Sequence, residues 1–412
     1  MPSLYKEVTA CRVSGSTHLV SILDLGSQAL TGVFPKRNLA PVPKGPLELV
    51  WCPESGLVQM RHSYDPGAMY GENYGYRSGL NQSMVRHLAS KVAFLERLVK
   101  LESGDVVLDI GSNDATLLKS YKSPNLKRIG IDPTGVKFSS FYPEDIKLVP
   151  DFFSAEKFRS ASSQSAKIVT SIAMFYDLED PVGFAREVHS ILSDDGVWHF
   201  EQSYMPSMLR MNSYDTICHE HIEYYSLGVI AKILSKAGFV LLDVQMNAVN
   251  GGSFAVTAGK VGSLRRPNSA VIQWLLEQEV RMGLETPRPF REFEERVFRH
   301  REDLRRLIHG LVKDGKKVFG YGASTKGNVL LQFCGFSPKE IPFIAEVNPD
   351  KFGCVTPGTE IPIISEEEAR AMNPDYFLVL PWHFKEGIVA RETEFLSRGG
   401  KMIFPLPEIE IV

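Results

Sequence analysis

The segment Ser213-Tyr-Asp-Thr-Ile-Cys-His-Glu-His-Ile-Glu-Tyr-Tyr-Ser226 gathers two histidines, three carboxylates, a thiol and three phenols within one short stretch. Each ionisable group loses solvation on burial unless it is paired, so a cleft is a more economical place for such a cluster than a packed interior. The side chains suit general acid–base chemistry. A histidine accepts or donates a proton near neutral pH, a carboxylate can orient it or bind a hydroxyl, and a phenol can donate to a developing oxyanion. His221 is the expected base, Glu220 its orienting partner or a substrate contact, and His219 a secondary candidate.

The elements upstream indicate what the cluster faces. The apolar run Val106-Val-Leu-Asp-Ile110 reads as a buried parallel strand, and Gly111 allows a tight turn under a ligand before the next helix. Asp132, in Arg128-Ile-Gly-Ile-Asp-Pro133, follows that glycine by about twenty residues, the spacing at which an acid meets ribose hydroxyls. The turn Gly111-Ser-Asn-Asp-Ala-Thr116 has one glycine and an added acid, which argues against the pyrophosphate of a dinucleotide. Asp109 and Asp114 suit a ligand with an amino group and a sulfonium, which is S-adenosylmethionine; Ser112 and Asn113 belong to the same turn. Asp151, Phe152 and Phe153 are expected near the adenine. The strand Lys167-Ile-Val-Thr-Ser-Ile-Ala173 brings Ser171 and Ala173 to its carboxyl end, where open α/β sheets bind ligands, and Tyr176 and Asp177 follow. The strand Gly196 to Glu201 precedes the titratable segment and places it on the same face. The loop Tyr70 to Gly79 offers Tyr74 and Tyr76 as phenols for a cleft.

At 412 residues the chain predicts two or three domains. Its net charge of −3, with 43% hydrophobic and 23% charged residues, argues against general nucleic-acid affinity. No apolar stretch reaches the roughly 20 residues of a membrane span and no signal sequence is evident, so a cytoplasmic location is expected. Five scattered cysteines fit reduced thiols. Cys11-Arg-Val-Ser14 and Cys52-Pro-Glu-Ser55 look like paired knuckles in which serine replaces each second cysteine. Hydroxyls are poor zinc ligands, so zinc is doubtful even with His18 and His62 as substitutes, and no metal is assigned.

Residues 1–78 are expected to form a β-rich module ending in the Tyr-rich loop, 79–262 a methyltransferase domain, 263–310 a helical connector, and 311–412 a second Rossmann-like domain. The last begins at Lys316-Lys-Val-Phe-Gly-Tyr-Gly-Ala-Ser-Thr-Lys-Gly-Asn328. It is not a phosphate-binding P-loop, because Lys326 is followed by glycine, but Lys326 and the helix amides could hold a diphosphate.

These features together resemble the bacterial nucleotide-sugar C-methyltransferases that act at C-3 of 4-keto-6-deoxy sugars. The resemblance runs nearly end to end and rests on the two knuckles, Tyr70 to Ser78, Asp109-Ile-Gly-Ser-Asn-Asp114, Cys218-His-Glu-His221, Asn250-Gly-Gly-Ser-Phe254 and Gly320-Tyr-Gly-Ala-Ser-Thr-Lys-Gly-Asn328. It implies an α/β fold with a class I methyltransferase centre, S-adenosylmethionine as cofactor and a nucleotide-linked sugar as partner. It also implies substrate contacts from Tyr224, Asn250, Ser253, Tyr321, Ser324, Lys326 and Asn328. Cys218 stands where family members place a tyrosine and Tyr176 where they place a histidine, both at polar positions near the reaction. Methyl transfer to oxygen or nitrogen, and nucleotide-sugar binding without catalysis, stay open as alternatives. The sequence leaves the oligomeric state undetermined.

Overall fold

The computed structural model describes residues 4–37, 41–64 and 77–412; Tyr74 and Tyr76 lie outside them. After a short strand at Tyr5–Glu7, which pairs with His62–Tyr64, the chain forms an antiparallel ladder, β1 (Val20–Ala29), β2 (Lys44–Trp51) and β3 (Val58–Met60). Helix α1 (Gln82–Leu98) begins where the Asn81 side chain accepts the Ser83 amide.

A seven-stranded sheet then organises the centre. Its strands are β4 (Val106–Ile110), β5 (Lys127–Ile131), β6 (Ile146–Val149), β7 (Ala166–Ile172) and β8 (Leu192–Ser203), followed later by β10 (Phe239–Asn247) and β11 (Ser253–Lys260). The spatial order is β10-β11-β8-β7-β4-β5-β6, and β11 alone runs against the others. Every residue of β4 is buried, as a strand covered on both faces requires. Helix α2 (Pro181–Ile191) and helix α3 (Leu227–Lys236) turn Val182, Ala185, Val188, Ile230 and Ile233 onto one face. On the other face α1 contributes Leu88, Val92 and Leu95. This is the α/β architecture of class I methyltransferases.

Helices α4 (Ser269–Met282) and α5 (Arg288–Lys313) follow. The second is charged on one side and buries Phe290, Phe293, Val297, Leu304 and Ile308 on the other. The C-terminal sheet has the order β14-β13-β12-β15-β16-β17, from β12 (Val318–Tyr321), β13 (Ile344–Glu346), β14 (Ile363–Ser365), β15 (Tyr376–Val379), β16 (Lys401–Phe404) and the reversed β17 (Glu410–Ile411). Helix α6 (Thr325–Cys334) follows β12 and is capped by Ser324, whose Oγ accepts the Gly327 amide at 3.0 Å.

Two connections were not visible in the sequence pattern. Residues Glu223–Tyr224 form a short strand, β9, that pairs antiparallel with β3, so the titratable segment completes the N-terminal sheet. That segment shares one apolar cluster with β1–β3, α5 and the C-terminal sheet. The second is the anchoring of α1 on β8. Glu201, buried at the end of that strand, pairs with Lys91 Nζ at 2.7 Å and His87 Nε2 at 2.6 Å, and accepts Asn247 Nδ2 at 2.8 Å. Among the described residues no helix is long and apolar enough to cross a membrane.

Burial opposes the charge of Glu201, but the His87 hydrogen bond and the Lys91 charge outweigh it and hold its pKa below the usual carboxylate range. Stability drawn from a carboxylate with a depressed folded pKa is present above its unfolded value, roughly pH 4.3, and is lost as pH falls through the lower folded value. Replacing Glu201 with Gln leaves Lys91 without its buried counter-charge. Chemical denaturation at pH 7 is expected to show a loss of about 3 kcal/mol, and the difference from the parent protein should shrink on acidification below pH 4.

Candidate active site

The carboxyl ends of β4, β7 and β8, with the titratable segment and the start of α6, enclose a cavity of about 520 Å³. Its two ends differ in character.

At one end the turn after β4 holds Gly111 at φ +73°, and a side chain there would press on Met174 at 3.2 Å. Asp109 accepts Thr170 Oγ1 at 2.6 Å; burial, with the neighbouring Asp132 charge, pushes its pKa up to about 7 against that bond. Asp132 accepts the amides of Asn113 (2.7 Å) and Thr134 (2.6 Å), which fixes the carboxylate at the rim. Gly111, Ser112, Asn113, Pro133, Phe152, Phe153 and Ala173 line this end as well. A charged, hydroxyl-binding edge beside an apolar wall fits a cationic nucleoside. Asp109 would face its positive part, Asp132 its ribose, and Phe152 and Phe153 its base.

Three residues expected here take other roles. Asp114 turns away and accepts the Gly79 amide at 3.0 Å and the Thr116 hydroxyl at 2.5 Å, tying down the entry to α1. Asp151 is exposed and paired with Lys157 at 2.7 Å. Ser171 accepts Trp198 Nε1 at 3.0 Å inside the sheet core. In each case a nearer protein donor takes the side chain.

At the other end His221 Nδ1 lies 3.0 Å from the Thr216 carbonyl oxygen. A carbonyl only accepts, so Nδ1 carries the proton and Nε2 keeps its lone pair. Burial, opposed by that bond and reinforced by the Lys326 charge, lowers the His221 pKa to about 4. The neutral, proton-accepting imidazole therefore prevails across the neutral range. Tyr176 meets it edge-on with ring centroids 4.4 Å apart. Glu220 also lines the cavity, with its pKa raised by burial, but the partner that orients His221 is the Thr216 carbonyl and not Glu220. A Cβ on Gly32 would collide with Glu220, so the N-terminal module shapes the position of that carboxyl. Tyr224 donates to the Thr216 carbonyl at 3.4 Å and borders a small side cavity with Tyr176 and His221. Ser253 and Lys326 line the main cavity.

Several of the remaining candidates do not reach it. His219 is fully buried against Tyr64, ring centroids 4.7 Å apart, with Nε2 3.4 Å from the Gly45 carbonyl. Cys218 is buried in the apolar cluster, and desolvation raises its pKa well above the ordinary thiol value. Tyr321 donates to Glu392 at 2.8 Å and meets Arg391 beneath the C-terminal sheet. Asn328 donates to the Thr31 carbonyl at 2.7 Å and so joins α6 to the N-terminal module. Ser324 is spent on the helix cap. The backbone of Asn250 belongs to the 3-10 turn Val249–Gly251, and its side chain lies outside what the structure describes. These polar side chains serve the scaffold, a role that spacing alone does not distinguish from substrate contact.

Gln202 belongs to none of the motifs that mark the other site residues. It is 1% exposed, lines the cavity, and neither amide atom has a partner among the described residues. A buried amide left unpaired is costly, so its presence on a cavity wall points to a ligand group that both donates and accepts. A glutamine following the apolar strand into Glu201 was the only signal in the sequence.

The paired knuckles keep their turns. Gly15 and Gly56 donate to the carbonyls of Cys11 and Cys52 at 2.8 Å each. The four side chains pair with one another instead, Cys11 Sγ with Ser55 Oγ at 3.1 Å and Ser14 Oγ with Cys52 Sγ at 3.4 Å. His18 pairs with Glu54 at the surface, and His62 packs on Tyr5. Two thiols and two hydroxyls do not make a structural zinc site, and the described residues contain no cluster of three or more ligating side chains placed to hold a metal.

Three family models match the chain: "Methyltransferase domain" over residues 82–244, "C-methyltransferase C-terminal domain" over 248–407, and "Putative zinc binding domain" over 11–70. The C-methyltransferase NovU of Streptomyces niveus is 31% identical over 416 residues, which cover 100% of this chain and 99% of that protein. Among solved structures, the plantazolicin methyltransferase BpumL in complex with SAH is 12% identical, with a TM-score of 0.35 over 43% of this chain and 86% of its own. Magnesium protoporphyrin IX methyltransferase ChlM from Synechocystis PCC 6803 with bound SAM is 14% identical, with a TM-score of 0.32 over 43% of this chain and 79% of its own.

Two outcomes are expected. Gln202→Leu should raise the melting temperature of the free protein, because an unpaired buried amide is removed at a cost avoided of about 1 kcal/mol, while kcat/KM falls at least about 10-fold. Elemental analysis should find far less than one zinc per chain, whereas the Ser14→Cys/Ser55→Cys variant, given four thiols on intact knuckles, should take up one.

Proposed function

Because this chain belongs to the C-methyltransferase family and is an S-adenosylmethionine-dependent enzyme, we propose that its acceptor is the carbon next to the ketone of a nucleotide-linked keto-deoxy sugar, methylated during deoxysugar biosynthesis in the cytoplasm. The observation that carries this reading is His221, whose protonated Nδ1 is fixed on the Thr216 carbonyl while Nε2 is free to accept a proton, on the wall of the same cavity as Asp109 and Asp132. Methylation at carbon needs a carbanion equivalent, and a C–H beside a ketone is the position at which a neutral imidazole can generate one. The cofactor, when bound, supplies a methyl group on a sulfonium.

His221 takes the proton, and Glu220 is placed to bind a sugar hydroxyl rather than to orient the base. Tyr176 walls the imidazole. The reading also carries the division of the chain at 78, 262 and 310, with the C-terminal part closing over the substrate.

Mass spectrometry of products from a panel of nucleoside-diphosphate 4-keto-6-deoxy sugars, incubated with S-adenosylmethionine, tests the substrate class. A methyl group on carbon supports the proposal; one on oxygen or nitrogen overturns it. His221→Asn is expected to lower kcat by about 100-fold or more, to abolish solvent deuterium exchange at the carbon beside the ketone, and to leave cofactor affinity unchanged by calorimetry.

A further inference from the structure

The cavity wall is rich in acids: Asp109, Asp132, Asp177, Glu179, Glu201 and Glu220 all line it. Among its described lining residues Lys326 is the one lysine or arginine. It is the second residue of α6, so the C-terminal domain delivers it, beside Thr325, to the wall that also carries His221. Asp215, buried and bonded by Trp382 Nε1 at 2.7 Å, and Lys326 act on each other electrostatically, each favouring the other's charged form against burial. The ammonium in turn acts on the imidazole, whose pKa it helps to depress.

A diphosphate spreads its charge over several oxygens and is normally met by more than one cation or by forked donors. A single lysine within electrostatic reach of a base is matched instead to one oxygen near the atom that loses its proton. We propose that Lys326 is a catalytic residue, donating an N–H to the ketone oxygen of the sugar while His221 deprotonates the neighbouring carbon. This rests on the keto-sugar reading above.

In the step, the C–H bond breaks and its proton goes to His221 Nε2. The electron pair forms the enolate C=C bond, and the carbonyl π pair moves onto the oxygen. Lys326 keeps its proton and lowers the energy of the negative oxygen in a poorly solvated site. Burial lowers the pKa of Lys326, which makes its N–H a stronger donor. The enolate is thus stabilised from one domain and generated from another.

Solvent deuterium exchange into thymidine diphosphate 4-keto-6-deoxyglucose and its 2-deoxy analogue, without S-adenosylmethionine, isolates this step. Lys326→Met is expected to slow exchange and kcat by about 100-fold or more, the usual cost of one oxyanion donor, with KM and S-adenosylhomocysteine affinity within about 3-fold of the parent. Lys326→Arg keeps the charge but displaces the donor, and about a 10-fold loss of exchange is expected; it is the deciding variant if the methionine variant does not fold. Exchange at the parental rate in the variant that folds, or a loss confined to KM, would overturn the assignment and leave Lys326 as a binding group. If the unaltered protein methylates a sugar oxygen and exchanges no deuterium, the keto-sugar reading itself fails, and this inference with it.

Discussion

The substrate end depends on one hydrogen bond, from His221 Nδ1 to the Thr216 carbonyl. It selects the tautomer, aims the lone pair, and uses a backbone group that no titration can remove. A carboxylate in that position would have raised the basicity of the imidazole but added a second buried charge to a site already crowded with acids. With a carbonyl, the imidazole stays neutral and the positive charge nearby belongs to Lys326. The geometry around Thr216 is therefore the constraint that the surrounding sheets satisfy. A 3-10 turn over Tyr214–Thr216 and the strand Glu223–Tyr224 clamp the segment on both sides.

The clamp explains why three sheets converge on so short a segment. The N-terminal ladder receives β9, the central sheet supplies β8, joined to the segment through the helix Met205–Arg210, and α6 of the C-terminal domain packs against the 3-10 turn, with Trp382 reaching Asp215. Titratable side chains in this segment are thus divided between two functions. His221 and Glu220 reach the cavity, whereas His219, Cys218 and Tyr214 fill the interior, Tyr214 lying 3.1 Å from His300 Nδ1. The cleft thus houses only part of this cluster of ionisable groups. Neutral forms of the others are compatible with burial because desolvation moves their pKa values away from the charged state.

The sequence pattern showed what depends on local order. The glycine turn after β4, the acid after β5, and the alternation of strands and helices are all consequences of near neighbours in the chain, and each is found where spacing placed it. What it could not show depends on partners far away. Asp114 and Asp151 carry the same side chain as Asp109 and Asp132, and only the positions of Gly79 and Lys157 decide that they serve the scaffold. Asn328 sits in a motif that reads as substrate recognition, yet it joins α6 to the Thr31 carbonyl across most of the chain. The anchoring of α1 through Glu201 was equally hidden, since His87 and Lys91 read as the polar side of an amphipathic helix.

The pairing of β9 with β3 also bears on the order in which the molecule is made. The first three strands leave the ribosome well before Glu223 and Tyr224, so the nascent ladder presents an open edge while the central sheet is still being synthesised. Four soft ligands around a metal would secure such a module early and locally. Here thiol–hydroxyl contacts join the two knuckles, and the closing strand comes from the segment that carries His221. The four-stranded N-terminal sheet is therefore complete only when Glu223–Tyr224 are in place, and folding of the module is tied to placement of the segment that carries His221.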